Sequence, residues 1–159
     1  MKFKEEHVYK QSAGRVLQMF VDPAAVQAKY KQLGSRNVQI RRNSRDGESW
    51  KLRIEREVAA EVPGPLAKFI KPWNKVVQEE HWQKQDGVTR GRIDVDIVGI
   101  PVAISTSLVL SPRGGGCVNE VETTVSSSLP VMGRPLVKFV SKDAKKYIEG
   151  EYRYISSHA

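Results

Sequence analysis

Cysteine is almost missing from this chain. Cys117, alone among 159 residues, excludes an intramolecular disulfide and any zinc site built on clustered thiolates. Histidine is scarce too: His7, His81 and His158 stand far apart and offer no local metal-ligand spacing, so neither a metal nor a cofactor is expected. No apolar run approaches the roughly 20 residues that a membrane-spanning helix needs. The opening residues, MKFKEEHVYK, lack the apolar stretch of a secretory signal. These absences predict a reduced, cytoplasmic protein.

Catalytic signatures are missing as well. RGGG at 113–116 lacks the Gly-Lys-Ser/Thr ending of a phosphate-binding loop and lies between strand-like segments, so it reads as a hairpin turn. Ser126, Ser127 and Ser128 lack the Gly-x-Ser-x-Gly setting of a nucleophile elbow. Cys117 has no local base and reads as inert. Nothing supports nucleotide binding or hydrolysis.

What is present is an ordinary globular composition, 40% hydrophobic and 28% charged, in a chain of the length of one domain spanning 1–159. The formal net charge is +8, from 26 basic and 18 acidic residues. It suits an anionic membrane surface or an acidic ligand. The charges are interleaved, however, as in KLRIEREVAAE (51–61), and no run of one sign forms a binding tail. That dispersal argues against nucleic acid and predicts a solvated basic surface.

Periodicity supplies the fold. Residues 2–10 alternate as a strand, with Phe3, Glu5, His7 and Tyr9 on one face. Ser12 is placed to cap a helix carrying Val16, Leu17 and Phe20; Asp22 and Pro23 start a second with Val26, Tyr30 and Leu33, ended by Gly34. The period then falls to two through segments 37–42, 49–57, 74–84, 88–99, 100–112 and 117–128, with turn signals at 45–47, 85–87 and 113–116. The parity of 74–84 is ambiguous. Residues from Pro135 to about Ser156 repeat at helical spacing through Leu136, Val140, Tyr147, Ile148 and Ile155. The order is β-α-α-β6-α, an α+β chain with an antiparallel sheet.

This order, together with HVYKQSAGRVLQMFVDP (7–23), resembles the START-like, helix-grip superfamily, which includes the polyketide cyclases and the birch-pollen-allergen family. The stretches VDPAAVQAKYKQLGSRNVQI, VVQEEHW, GIPVAIS and LPVMGRPLVKFV are similar to a bacterial START-like family of unknown function. The resemblance implies a curved seven-stranded antiparallel sheet wrapped around a long C-terminal helix. It further implies an internal cavity for a small hydrophobic or amphipathic ligand such as a lipid, a sterol-like or a polyketide-like molecule.

Strand and helix parity then selects candidate lining residues: Tyr9, Trp50, Ile54, Ile93, Val95, Ile104, Leu108, Val121, Leu136, Val140 and Tyr147, with Thr106, Asn119 and Thr123 as polar groups able to meet a head group. Tyr30, Trp73 and Trp82 are further candidate walls, or plain core. Arg56 follows Ile54 on the inward face and either meets an acidic ligand or emerges at the strand end. Glu5 and His7 are the only acid/base candidates, for a cyclase or isomerase; the competing reading is a solvated pair near the sheet edge.

Two segments share Pro-Leu-x-Lys-Phe: PGPLAKFIKPW from Pro63 and GRPLVKFVSKD from Gly133. Both read as helix starts with apolar residues at i, i+3 and i+4, and no similarity extends beyond them. Leu66, Phe69 and Ile70 then either face Phe139 across a cavity mouth, with lysines near enough for an anionic membrane, or pack as ordinary core.

Overall fold

Ser12 begins the helical layer as its sequence position predicts. Its hydroxyl accepts the Arg15 N–H at 3.3 Å and caps α1 (Ala13–Val21), which follows strand β1 (Lys2–Tyr9). Asp22 ends α1 and caps α2 (Pro23–Gln32), accepting the Ala25 N–H at 3.0 Å. Pro23 occupies the first turn, where a missing N–H costs no helical bond. Val16, Leu17, Phe20, Val26 and Tyr30 are all buried.

The computed structural model describes all of residues 1–159. Six more strands follow α2: β2 (Arg36–Asp46), β3 (Ser49–Ala59), β4 (Trp73–Gln85), β5 (Val88–Ile97), β6 (Ala103–Arg113) and β7 (Gly116–Ser126). Helix α3 (Gly133–His158) completes the chain. One antiparallel sheet has the order β1-β7-β6-β5-β4-β3-β2, and it is curved. The first strand therefore pairs with the last, from Lys2 opposite Thr124 to Tyr9 opposite Cys117. This is the helix-grip architecture that the element order predicts. No helix is long and apolar enough to cross a membrane.

Local chemistry explains the details. Asp86 and Gly87 turn β4 into β5 with positive φ at both positions (53° and 76°), the geometry of a tight hairpin loop that matches strand twist. Strand β6 starts at Ala103 rather than at residue 100, because Pro101 cannot donate to the ladder. The first Pro-Leu-x-Lys-Phe copy forms only a 3-10 turn, Gly64–Leu66. Pro72 disfavours a helical Lys71, and the Asn74 side chain bridges both backbone groups of Lys71, at 3.0 and 2.7 Å. The second copy lies in α3, which begins two residues before Pro135.

The outer faces of β2, β3 and β4 carry cross-strand ion pairs: Arg36 with Glu57 (2.6 Å), Arg41 and Lys75 with Glu55 (2.7 and 3.0 Å), and Arg53 with Glu79. Solvent-facing pairs of this kind contribute little to stability and mark a solvated face. The inner faces form two apolar clusters. One lies under α1 and α2 and includes Trp50, Leu52, Ile54 and Trp82; the other gathers Leu66, Ile100, Val102, Val125, Leu136 and Val140. The parity of β4 resolves with Asn74, Val76, Gln78, Glu80 and Trp82 inward, a largely polar row.

Gly91 stands opposite the fully buried Trp82, and a Cβ there would lie 2.5 Å from two ring carbons. Gly91→Ala is expected to lower stability by about 1–3 kcal/mol in urea unfolding, with a smaller loss in a Trp82→Leu background.

Candidate functional site

Between the inner face of the sheet and α3 lies a cavity of about 170 Å³. Of its 29 lining residues, 21 are hydrophobic, so its wall resembles that of a site for an apolar molecule. Ile93, Val95 and Ile97 of β5, Ile104 and Leu108 of β6 and Val121 of β7 form the sheet side. Helix α3 contributes Val140, Ala144, Ile148 and Tyr152 at i, i+4 spacing, and the neighbouring row Asp143, Tyr147 and Glu151.

One region of the wall is polar. Arg56, buried on β3, donates through one terminal nitrogen to Gln78 Oε1 at 2.9 Å. Through the other it donates to Ser35 Oγ and the Tyr147 hydroxyl, both at 3.3 Å. Its guanidinium lies 4.4 Å from the Tyr30 ring centre and 4.8 Å from that of Tyr147. Gln78 Nε2 donates to the Tyr30 hydroxyl (2.8 Å) and to Glu80 (2.6 Å), and the Trp82 indole donates to the other Glu80 oxygen at 2.8 Å. Lys29, fully buried on α2, sits 3.0 Å from Glu151 and over the rings of Phe20 and Tyr30. Burial pushes the Tyr30 and Tyr147 hydroxyls above the ordinary tyrosine range. It also raises the Glu80 carboxyl, against the opposing pull of Lys29 and the Trp82 and Gln78 donors.

Glu5 and His7 meet. His7 Nε2 is 2.8 Å from Glu5 Oε2, and the imidazole stacks on Tyr152 with ring centres 4.2 Å apart. His7 is buried and lines the cavity; Glu5 is half-buried beside it, outside the lining.

Among the residues that parity selects, Tyr9, Ile93, Val95, Ile104, Thr106, Leu108, Asn119, Val121, Val140 and Tyr147 line the cavity, as do Ile70 and Phe139. Others do not reach it. Trp50 and Ile54 face inward, but α1 and α2 cover that part of β3 and take both into their apolar cluster. Thr123 stands beside Thr106 as its cross-strand partner, fully buried, with a 2.9 Å hydroxyl contact between them. Leu66 and Leu136 are buried together in the second cluster, with Phe69 half-buried against it and the Lys68 ammonium 5.3 Å from the Phe69 ring centre. Leu66 and Leu136 of the two Pro-Leu-x-Lys-Phe copies therefore pack as core, while Ile70, Phe139 and Val140 reach the cavity. Membrane insertion of Leu66 and Ile70 would first require them to leave the second cluster.

No tryptophan lines the cavity: Trp82 packs against Phe20, ring centres 4.8 Å apart, and Trp73 is partly exposed beneath Arg36. Sequence reasoning missed Val76, Gln78, Ala144, Ile148, Glu151 and Tyr152 as lining residues, whereas Tyr30, a candidate wall, does line the cavity. The i, i+4 row from Val140 carried the signal for three of these; β4, with its ambiguous parity, carried none.

The profile of a family described as "Protein of unknown function (DUF2505)" matches residues 4–158. No curated protein matches the chain. Solved structures share its fold at low identity. TTHA0849 from Thermus thermophilus is 16% identical with a TM-score of 0.67, over 99% of this chain and 95% of that one. Ara h 8.0201 is 12% identical with a TM-score of 0.60, over 99% of both chains. Norcoclaurine synthase from Thalictrum flavum is 15% identical with a TM-score of 0.52, over 100% of this chain and 88% of that one.

The raised Glu80 carboxyl yields a signed prediction. Above the ordinary glutamate range the folded state holds a proton that the unfolded state has lost, so this group makes stability fall as pH rises. Glu80→Gln removes that dependence. Urea unfolding should show the variant gaining stability relative to the natural chain between about pH 4 and pH 7. A pH-independent difference would contradict the assignment.

Proposed function

The chain belongs to the DUF2505 family of proteins of unknown function, and we propose that it binds, and in that sense carries, a small hydrophobic or amphipathic ligand in the cavity between sheet and α3. The observation that carries this reading is the wall itself: largely apolar on β5, β6 and α3, with a hydrogen-bonding cluster around Arg56 and a second polar point at His7. The apolar part of this wall offers water no hydrogen bonds and favours an apolar occupant there. The structure of norcoclaurine synthase is a complex with dopamine and hydroxybenzaldehyde, and its shared fold is in keeping with a ligand-holding role here.

A thermal-shift screen of fatty acids, sterols, polyketides and small aromatics tests the proposal. A true ligand at a hundredfold excess over its Kd is expected to raise the Tm by about 5–10 °C. Titration calorimetry should give a stoichiometry near one. Ala144→Phe projects a ring from α3 into the cavity and should abolish that shift while the variant stays folded. A screen that leaves the Tm unmoved, or an Ala144→Phe variant that binds unchanged, argues against the cavity as the site.

The Glu5–His7 contact favours a second reading, an isomerase- or cyclase-type enzyme using the same cavity. A carboxylate orienting an imidazole at an apolar wall is an arrangement suited to moving a proton on a bound molecule. Deuterium uptake at the carbons flanking the carbonyl of 2-octanone, followed by NMR, is expected only if this reading holds, and His7→Phe should suppress it. Uptake at the buffer rate would remove the enzymatic reading and leave binding intact.

A further inference from the structure

We infer that Arg56 is the head-group site of the cavity, and that the ligand is an amphipathic acid: a carboxylate joined to an apolar body. The inference rests on the binding function proposed above and specifies its ligand class.

The argument starts from a buried cation without a counter-ion. Arg56 is 6% exposed and lines the cavity. It takes part in none of the chain's ion pairs. Its three acceptors, Gln78, Ser35 and Tyr147, are neutral, and two of those contacts are long at 3.3 Å. A guanidinium has five N–H donors, so the protein leaves part of this one unmet. Nε in particular is buried and has no partner. Removing a charge from water costs several kcal/mol unless an opposite charge or full hydrogen bonding compensates it.

The nearby carboxylates are committed elsewhere. Glu151 is held by Lys29 at 3.0 Å, and both oxygens of Glu80 accept from Gln78 and Trp82. Asp143, the remaining carboxylate on the lining, forms no ion pair with Arg56, and partial burial raises its carboxyl above the ordinary aspartate range. The chain thus surrounds Arg56 with hydrogen-bonding side chains and still supplies no anion for it.

The geometry suits a planar oxyanion. The guanidinium lies against both the Tyr30 and Tyr147 rings, whose own centres are 6.2 Å apart, and this aromatic contact limits how it can turn. A carboxylate can use the fork of a guanidinium through two oxygens, which selects it over a point-like or neutral head group. Beyond the head group, Ile93, Val95, Ile104 and Leu108 offer an apolar wall for the rest of the molecule.

The test pairs octanoate with octan-1-ol, which share an apolar body and differ in charge. Calorimetry on the natural chain should show a roughly ten- to hundredfold preference for octanoate, the span expected of a charge-assisted contact. Arg56→Met should lose that preference, the affinity for octanoate falling to that for octan-1-ol. Independently of any variant, the Arg56 Nε–H resonance should shift on saturation with octanoate and stay in place with octan-1-ol. Equal affinities in the natural chain, a preference that survives Arg56→Met, or an unmoved resonance would each overturn the assignment of Arg56 while leaving the cavity as a binding site. Failure of both compounds to bind would overturn it together with the cavity proposal.

Discussion

A curved seven-stranded sheet has more inner surface than one long helix can cover, and that mismatch governs the rest of this structure. Every strand turns alternate residues toward the inside, and each inward side chain must be covered by a helix, a loop or a neighbour. Helices α1 and α2 cover Trp50, Leu52, Ile54 and Trp82. At the other end, Leu66, Ile100 and Val102 from the connections after β3 and β5, with Leu136 and Val140 of α3, pack over Ile104 and Val125. Between these two plugs α3 spans the sheet without filling the space, and the cavity is what remains.

The polar wall belongs to the same arrangement. Arg56 lies where β3 passes from beneath the short helices toward α3, and it joins β3 to Gln78 of β4, Ser35 after α2 and Tyr147 of α3. Lys29 and Glu151 tie α2 to α3 close by. Interior polar links of this kind are directional, so they restrict how α3 sits over the sheet more narrowly than apolar packing does. They also place charge and hydrogen bonding against an otherwise apolar space, which is the condition for recognising an amphipathic molecule. At another part of the wall, on β1, His7 adds a hydrogen-bonding group, held from outside the lining by Glu5.

Much of the fold was legible in the chain. Ser12, Asp22 and Pro23 mark the two helix starts, and the turns at Gly47, Gly87 and Gly114 mark three hairpins. Clean alternation in β3, β5, β6 and β7 identified the inward residues. The candidate site was legible only in part, and β4 shows why: Gln78 and Glu80 are inward polar residues beside outward Val77, so hydrophobicity could not reveal their face. The first Pro-Leu-x-Lys-Phe copy shows the converse. Its helix-start pattern is genuine, yet Pro72 leaves room for a single 3-10 turn.

Periodicity is settled within the chain: which segments are strands or helices, where they turn, and which side chains share a face. Those properties are local, set by backbone sterics and the spacing of apolar residues. What lies opposite each inward residue is settled only by packing. Ile54 and Ile93 have the same parity and similar chemistry; Ile54 meets the short helices and Ile93 meets the cavity. Arg56 is an inward charge along the strand, and it becomes a buried cation among neutral partners only when β4, α2 and α3 close around it. Packing across the sheet is non-local, and no spacing along the chain encodes it.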